Sequence, residues 1–198
     1  MSTSWPADII ADEVDFYLEK NVSFMPSPLV KSVQILDRPG RRWRATYRFV
    51  VPGRNSIRRF DALLDSDVTF LMWDMLSPAP QNGVIAGVQL VGAHLRGNTS
   101  ITVDGLPLSQ THLKAGDYVG IGSGLYRLIA DVASDTGGEG TLTLNRGLLA
   151  NAADNAAVNF DVPRAEMMLI DNDQPSRSVD ANWAATYTLS FIEAIDAS

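Results

Sequence analysis

The residue types that could support catalysis are few and far apart in the sequence. The chain has no cysteine and two histidines, His94 in VGAHLRG and His112 in SQTHLK. Either histidine could act as the base of a nucleophilic triad, but neither lies beside a serine or carboxylate signature. The GSG at 122–124 belongs to G-I-G-S-G-L without a following helix, so it differs from a nucleophile elbow. The sequence therefore predicts no catalytic residue and no enzymatic activity.

Metal and cofactor binding are not indicated either. Carboxylates cluster in DEVD (12–15) and DND (171–173), but neither segment continues into a calcium loop with the required glycine and glutamate. The lack of cysteine excludes thiolate-bound zinc and iron–sulfur clusters. The glycines of GVQLVGAHLRG and GIGSG have the spacing of hairpins, and no Gly-Lys-Ser/Thr follows them. We therefore expect no metal site and no cofactor.

Positive charge is the most concentrated chemical feature of the chain. The formal net charge is −7, but it is divided into blocks. Residues 1–37 carry −4, residues 38–59 carry eight arginines and no acid, and residues 60–198 carry −11. In 42–51 the side chains alternate, as in a half-buried strand. One face has Trp43, Ala45, Tyr47, Phe49 and Val51, and the other has Arg42, Arg44, Thr46 and Arg48.

Three interpretations of these arginines follow from the alternation. Binding of nucleic acid would need stacking aromatics beside the cations, but here the aromatics lie on the opposite face, and the acidic remainder of the chain repels phosphates. A solvated strand face is the second interpretation. The third, which we favour, is a protein interface, because the arginine fork binds carboxylates with two hydrogen bonds. Opposite charge blocks favour head-to-tail docking of copies into rings. The candidate interface residues are Arg41, Arg42, Arg44 and Arg48.

The elements around this strand can be predicted from their apolar spacing. A short helix over about 57–66, capped by Asn55 or Ser56, follows the Pro52-Gly53 turn, and a buried strand is predicted for 68–73. The segment WAATYTLSF (183–191) shares W-x-A-T-Y with WRATYRF (43–49). This repeat predicts two equivalent strands and is compatible with one shared sheet, with Trp183, Ala185, Tyr187 and Leu189 on one face.

From about residue 84 the sequence consists of short strand-like runs between turns rich in glycine and aspartate. Gly116-Asp117 predicts a turn into a strand, and Gly122 to Gly124 predicts a hairpin return. The expected fold is mainly β, with a sandwich-like domain from 1–83 and 164–198 containing one short helix, and an inserted small barrel-like domain at 84–163. Neither a membrane anchor nor a secretion signal is expected, because no apolar run is long enough and the N-terminus lacks a basic region.

The order of these segments resembles that of tail proteins of long-tailed bacteriophages. The resemblance lies in LKAGDYVGIGSGLYRLIADVASDTGGEGTLTLNRGLLA, followed by VNFDVPRAEMMLIDND and then WAATYTLSFIEAI. The earlier RRWRATYRF, which precedes RRFDALL, extends it over nearly the whole chain. The pattern is similar to the distal tail proteins, in which a β-rich belt domain carries a second small β-domain.

The resemblance implies a structural virion subunit without catalytic activity. Distal tail proteins form a ring, commonly of six copies, at the tip of the tail tube, and they join the tube to the hub or baseplate. The expected partners are thus copies of the chain, a tail tube protein and a tail hub or baseplate protein, and the expected location is the virion tail tip after synthesis in the host cytoplasm. Two alternatives stay open: a tube or tail-completion protein, and a carbohydrate-binding accessory module, for which Tyr118 and Tyr126 are the available aromatics of the inserted segment.

Overall fold

The fold follows from strands that alternate apolar and polar residues. The computed structural model describes residues 3–6, 8–26, 33–37, 40–66, 69–77, 79–170, 176–179 and 183–195. The elements in chain order are β1 (Thr3–Ser4), β2 (Glu13–Glu19), β3 (Val22–Pro26), β4 (Val33–Asp37), β5 (Arg42–Pro52), α1 (Arg54–Ser66), β6 (Thr69–Met72), β7 (Gln89–Leu90), β8 (Ser100–Asp104), β9 (Thr111–Leu113), β10 (Tyr118–Ile121), β11 (Gly124–Arg127), β12 (Val132–Ala133), β13 (Gly140–Thr143), β14 (Val158–Asn159), β15 (Ala165–Leu169), β16 (Ser176–Val179) and β17 (Ala184–Glu193).

The chain divides into two compact units. The first unit comprises Met1–Ala7 and Phe70–Glu166, and the second comprises Asp8–Thr69 and Met167–Ser198. The first unit therefore contains the segment 84–163, together with residues on both sides of it and the N-terminus. The prediction of a mainly β fold is confirmed, and α1 is the one helix in the described part of the chain. Among the described residues, no helix has the length and apolar character needed to cross a membrane.

The second unit is built on an antiparallel arrangement centred on β5 and β17. Strand β5 pairs with β2 on one side and β17 on the other, and β17 also pairs with β15 and β16. Strands β3 and β4 form a separate hairpin. Tyr187 lies opposite Phe49, and Leu189 lies opposite Tyr47. The prediction that the two W-x-A-T-Y segments are equivalent strands of one sheet is thus confirmed.

One face of this sheet forms the core of the second unit together with α1. Trp43, Tyr47, Phe49, Tyr187 and Phe191 are all essentially inaccessible to solvent. The Phe60 ring of α1 packs between two of them, with its centroid 5.3 Å from that of Phe49 and 4.5 Å from that of Tyr187. The alternation predicted for 42–51 is confirmed, because apolar residues of β5 are buried and their neighbours are exposed or half-buried.

Helix α1 begins earlier than its sequence signals predicted. Its first turn includes Arg54, and the carbonyl of Gly53 accepts the hydrogen bond of the Ile57 N–H at 3.1 Å. Gly53 therefore occupies the N-cap position, where glycine is tolerated, and the predicted caps Asn55 and Ser56 lie inside the helix. The predicted buried face is correct at Ile57 and Phe60.

Trp183 is the exception to the predicted face of β17. Its side chain is 50% exposed, whereas Ala185, Tyr187 and Leu189 are buried. Residue 183 precedes the strand and has a φ of +58°, a left-handed conformation that bulky residues rarely adopt. Its carbonyl accepts the Gly53 N–H at 2.8 Å. The prediction that Trp183 shares the buried face is therefore wrong, because the backbone turns before the alternation begins.

The first unit consists of several small sheets around a separate aliphatic core. Its strand orders are β13-β8-β7, β11-β10-β14 and β12-β9, and β1 pairs with β6 in parallel; none of the described sheets is closed into a barrel. Leu90, Ile101, Val103, Leu142 and Leu144 are among its most buried residues. The predicted turns are confirmed, because β10 begins directly after Gly116-Asp117 and pairs with β11 across Gly122.

Replacing Phe60 tests the role of α1 in the second unit. We expect Phe60→Ala to lower the free energy of unfolding by about 3–5 kcal/mol, because it leaves a cavity among closely packed rings. Arg59→Ala is the matched control on the exposed face of the same helix and should change it by less than about 0.5 kcal/mol. Urea denaturation followed by tryptophan fluorescence measures both. An equal effect of the two substitutions would contradict the proposed packing.

Candidate protein interface

The polar face of the second unit's sheet carries the predicted interface arginines. Three of them, Arg42, Arg44 and Arg48, project from β5 on the side opposite the aromatic core. Strand β2 runs antiparallel beside β5, and its register places Glu19 opposite Arg42 and Glu13 opposite Arg48. A row of cations therefore lies beside a row containing carboxylates. We call the solvent-facing side of β2, β5 and β17 the charged sheet face.

Two of the predicted arginines form ion pairs within the chain. Arg44 Nε donates a hydrogen bond to Glu19 Oε2 at 2.7 Å, and Arg48 Nη1 lies 3.7 Å from Glu13 Oε2. All four side chains remain at least one-third exposed, so each pair contributes little to stability. The positive charge of β5 is thus met in part by the neighbouring strand. The sequence could not indicate this, because the pairs join residues far apart in the chain.

The other two arginines lie at the start of the same strand. Arg42 is exposed, and within the described residues its side chain has no ion pair or hydrogen bond. Arg41 is half-buried and directly precedes β5. The four arginines predicted from sequence therefore lie in β5 or directly before it. Two of them, Arg44 and Arg48, are in the ion pairs described above.

Hydroxyl and apolar groups complete the charged sheet face. Strand β17 contributes Thr186, Thr188 and Ser190 on the same side as the arginines, because these residues pair with Val50, Arg48 and Thr46 of β5. Exposed apolar side chains lie among the charges: Tyr17 is 44% exposed and Val50 is 44% exposed. Arginine and tyrosine are enriched in protein interfaces, whereas glutamate, aspartate and serine are depleted there, so this face combines residues of both kinds.

A second basic surface, which sequence reasoning missed, lies on α1. Arg54, Arg58 and Arg59 are exposed in the N-terminal half of the helix, and its first turn has no acidic residue. Arg54 lies in the first turn, where a cation opposes the helix dipole, and Arg54 and Arg58 are like charges at i,i+4 spacing. The Arg54 guanidinium lies 4.1 Å from the centroid of the exposed Trp183 ring. We call Arg54, Arg58, Arg59 and Trp183 the helix patch.

Several residues considered for catalysis and metal binding make hydrogen bonds within the fold. His112 Nε2 lies 3.2 Å from the carbonyl oxygen of Gly83, and the backbone of His94 exchanges two hydrogen bonds with Ala152. In DEVD, Asp12 Oδ2 accepts the Val50 N–H at 2.8 Å. The DND segment lies outside the described residues. Within the described part of the chain, no three His, Asp or Glu residues are grouped so as to hold a metal ion.

The two aromatics that could have supported sugar binding are buried. Tyr118 is 8% exposed, and its hydroxyl donates to Asp74 Oδ2 at 3.1 Å. Tyr126 is 1% exposed, and its hydroxyl accepts the Leu149 N–H at 2.9 Å. Neither ring is available to stack against a saccharide, so these two residues do not favour the carbohydrate-binding alternative.

Comparison with known proteins identifies no family. A scan against protein-family models gave no match, and a search of curated proteins gave none either. The surfaces described above and the order of the sequence segments are therefore the basis for a functional proposal.

Tyr118 provides a pH test of the first unit. Its burial and the nearby Asp74 charge raise the pKa of the phenol from 10.0 to about 12. Because the folded-state pKa lies above the unfolded one, the contribution of Tyr118 to stability is complete below pH 10 and is lost as the pH rises from 10 to about 12.

We expect Tyr118→Phe to remove this part of the pH dependence. The urea midpoint of wild type minus that of the variant should decrease between about pH 9 and about pH 11.5, because the stabilisation by the Tyr118 phenol is lost over this range. The other titrating groups are the same in both proteins and cancel in the difference. A pH-independent difference would show that the phenol is not held protonated by its surroundings.

The helix patch also makes a stability prediction. Arg58→Glu should change the free energy of unfolding by less than about 0.5 kcal/mol, because it makes the i,i+4 spacing to Arg54 attractive and the i,i+3 spacing to Asp61 repulsive. Lys20→Glu is the control, since Lys20 is an exposed cation of the same unit outside any helix. Thermal denaturation at low salt measures both. Destabilisation by Arg58→Glu would mean that Arg58 makes a favourable contact within the subunit.

Proposed function

We propose that this protein is a structural subunit of a bacteriophage tail tip, which assembles with copies of itself into a distal tail ring. The observation that carries the proposal is the charged sheet face, where an arginine row and a carboxylate-bearing row lie side by side with exposed apolar and hydroxyl groups. The resemblance of the segment order to distal tail proteins supports the same function. In this function the protein binds and positions other proteins and has no catalytic activity.

The intrachain ion pairs leave the arginines able to bind a neighbouring subunit. Arg44 contacts Glu19 through Nε, and a guanidinium has five N–H donors. Its terminal nitrogens can therefore bind a carboxylate of another copy while the first pair persists. Because the pairs are exposed and weak, such an exchange has a small cost. The intrachain glutamates then act to orient the arginines.

The order of the charged rows favours a head-to-tail contact. Strand β2 is at one end of the strand order, and its solvent side bears Glu13, Asp15 and Glu19. A two-fold contact through β2 would set these acids against their own copies. A heterologous contact can instead place acids of one copy against arginines of the next, and such contacts generate closed rings.

The ring would connect a tail tube protein on one side with a hub or baseplate protein on the other, at the tip of the virion tail. A tube or tail-completion protein would also assemble through β-rich surfaces. Electron microscopy separates these alternatives, because a distal tail subunit forms a single closed ring, whereas a tube subunit forms stacked rings. Purified protein should form a ring alone or with the tail tube protein. A monomer that binds no tail component would overturn the proposal.

Arg44→Glu tests the contribution of the charged sheet face to assembly. The substitution places a like charge beside Glu19 and removes a cation from the proposed contact, so we expect the dissociation constant of the assembly to rise about tenfold or more. Arg44→Lys keeps the charge and should have a smaller effect. Mass photometry over a concentration series measures the assembly, and a cooperative thermal transition confirms folding. Unchanged assembly of Arg44→Glu would exclude Arg44 from the interface.

A further inference from the structure

One row of residues across the second unit's sheet is apolar on both sides of an arginine. Met168 of β15 pairs with Ile192 of β17, and Ile192 pairs with Arg44 of β5. Arg44 pairs in turn with Tyr17 of β2. Residues directly opposite on antiparallel strands project to the same side of a sheet, and neighbouring strands lie about 4.8 Å apart, so the row spans roughly 14 Å. We call these four residues the Arg44 row.

The Arg44 row lies on the solvent-facing side of the sheet. Met168, Tyr17 and the side chain of Arg44 are each more than one-third exposed, and Ile192 is half-buried. Ile170, the next residue of β15 on the same side, is also more than one-third exposed. Because Ile192 and Arg44 belong to β17 and β5, the row extends the charged sheet face onto β15 and adds an apolar patch to it.

Glu19 orients Arg44 within this row. Arg44 Nε donates a hydrogen bond to Glu19 Oε2 at 2.7 Å. The two terminal nitrogens of the guanidinium carry four further N–H donors, in the fork geometry that binds a carboxylate with two hydrogen bonds. A partner that covers the row removes water from the apolar groups on both sides of the cation. An ion pair formed there is stronger than an exposed one, because the local dielectric constant is lower.

Arg48 lies on the same side of β5 but has polar neighbours. It pairs with Thr188 of β17 and with Glu13 of β2. Its Nη1 lies 3.7 Å from Glu13 Oε2, so this ion pair is looser than that of Arg44. A protein interface has an apolar, desolvated core and a polar rim. The surroundings of Arg44 match such a core, whereas those of Arg48 match a rim.

We propose that the Arg44 row is the centre of the contact between subunits of the ring, where Arg44 binds a carboxylate of a neighbouring copy. This inference rests on the proposed function and deepens it, since it names the residues that provide most of the affinity. A second copy is the favoured occupant because of charge complementarity: residues 60–198 of every copy carry a charge of −11. A two-fold contact centred on the row would place Arg44 against its own copy. The contact is therefore heterologous, as in a closed ring.

Four single substitutions test the position of this centre. Arg44→Ala and Met168→Gln should each raise the dissociation constant of the assembly about tenfold, whereas Arg48→Ala and Met25→Gln should raise it less than about threefold. Arg48 is the matched control for Arg44, because both project from the same side of β5 and both have a glutamate partner. Met25 is the matched control for Met168, since it is an exposed methionine on β3 of the same unit. Mass photometry measures assembly.

A double-mutant cycle tests whether the row acts as one contact. Tyr17 lies directly opposite Arg44, so the effects of Tyr17→Ala and Arg44→Ala should couple, and the double variant should lose clearly less than the product of the two single losses. Arg48 lies four residues further along β5, and Tyr17→Ala combined with Arg48→Ala should give the product of the single effects. Every variant should keep one cooperative thermal transition, because the replaced side chains are exposed.

The possible outcomes distinguish this inference from the proposed function. Loss of assembly in Arg44→Ala and Met168→Gln, with both controls near wild type, supports the contact. Equal losses in a variant and its control overturn it, as does the absence of coupling between Tyr17 and Arg44. Normal self-assembly with weaker binding to the tail tube protein overturns the choice of a second copy as occupant. Rings that form normally in all variants overturn the inference and leave the ring proposal intact. Absence of any ring in the wild type, alone or with the tail tube protein, overturns the proposed function itself.

Discussion

The pairing of β5 with β17 is the constraint on which the second unit depends. Its register runs from Ala184 opposite Pro52 to Ile192 opposite Arg44. Because side chains alternate along a strand, this register sends every aromatic residue of both strands to the side covered by α1. A slip by one residue would exchange the two faces, bury arginines and expose the aromatic rings. The aromatic core and the charged sheet face are therefore two results of one alignment, and a change in that alignment would alter both.

The two basic surfaces differ in how they relate to stability. On β5, Arg44 and Arg48 have glutamate partners on the adjacent strand, so their charge is compensated where they lie. On α1, Arg54 lies in the first turn, where the helix dipole disfavours a cation, and Arg58 is a like charge four residues further on. Arg58 and Arg59, by contrast, form no ion pair with any of the described residues. Trp183, exposed in a strained backbone conformation, contacts the Arg54 guanidinium and extends this surface.

Local periodicity explains which parts of this structure could be predicted. The alternation in 42–51 and the spacing of Ile57 and Phe60 are properties of neighbouring residues, and both gave the correct buried faces. Other features depend on partners that are distant in the chain. The pairing of Glu19 with Arg44 requires the register of β2 on β5, the burial of Tyr118 involves Asp74, and the conformation of Trp183 is held by a hydrogen bond from Gly53. The arginines of α1 belong to the basic block of the sequence, but the helix was predicted to begin after Arg54, so its position in the first turn was missed.

The concentration of arginine in an acidic chain can be understood from the distance over which charges interact in salt solution. Copies with a net charge of −7 repel one another at long range, but at about 0.15 M salt this repulsion is screened beyond roughly 8 Å. Direct pairs between a guanidinium and a carboxylate act within that distance and persist. In the proposed ring, association would depend on the alignment of arginines of one copy with carboxylates of the next. A chain with the same net charge spread evenly would lack this selectivity. In the proposed ring, this arrangement would let acidic copies stay separate in most orientations and bind in one.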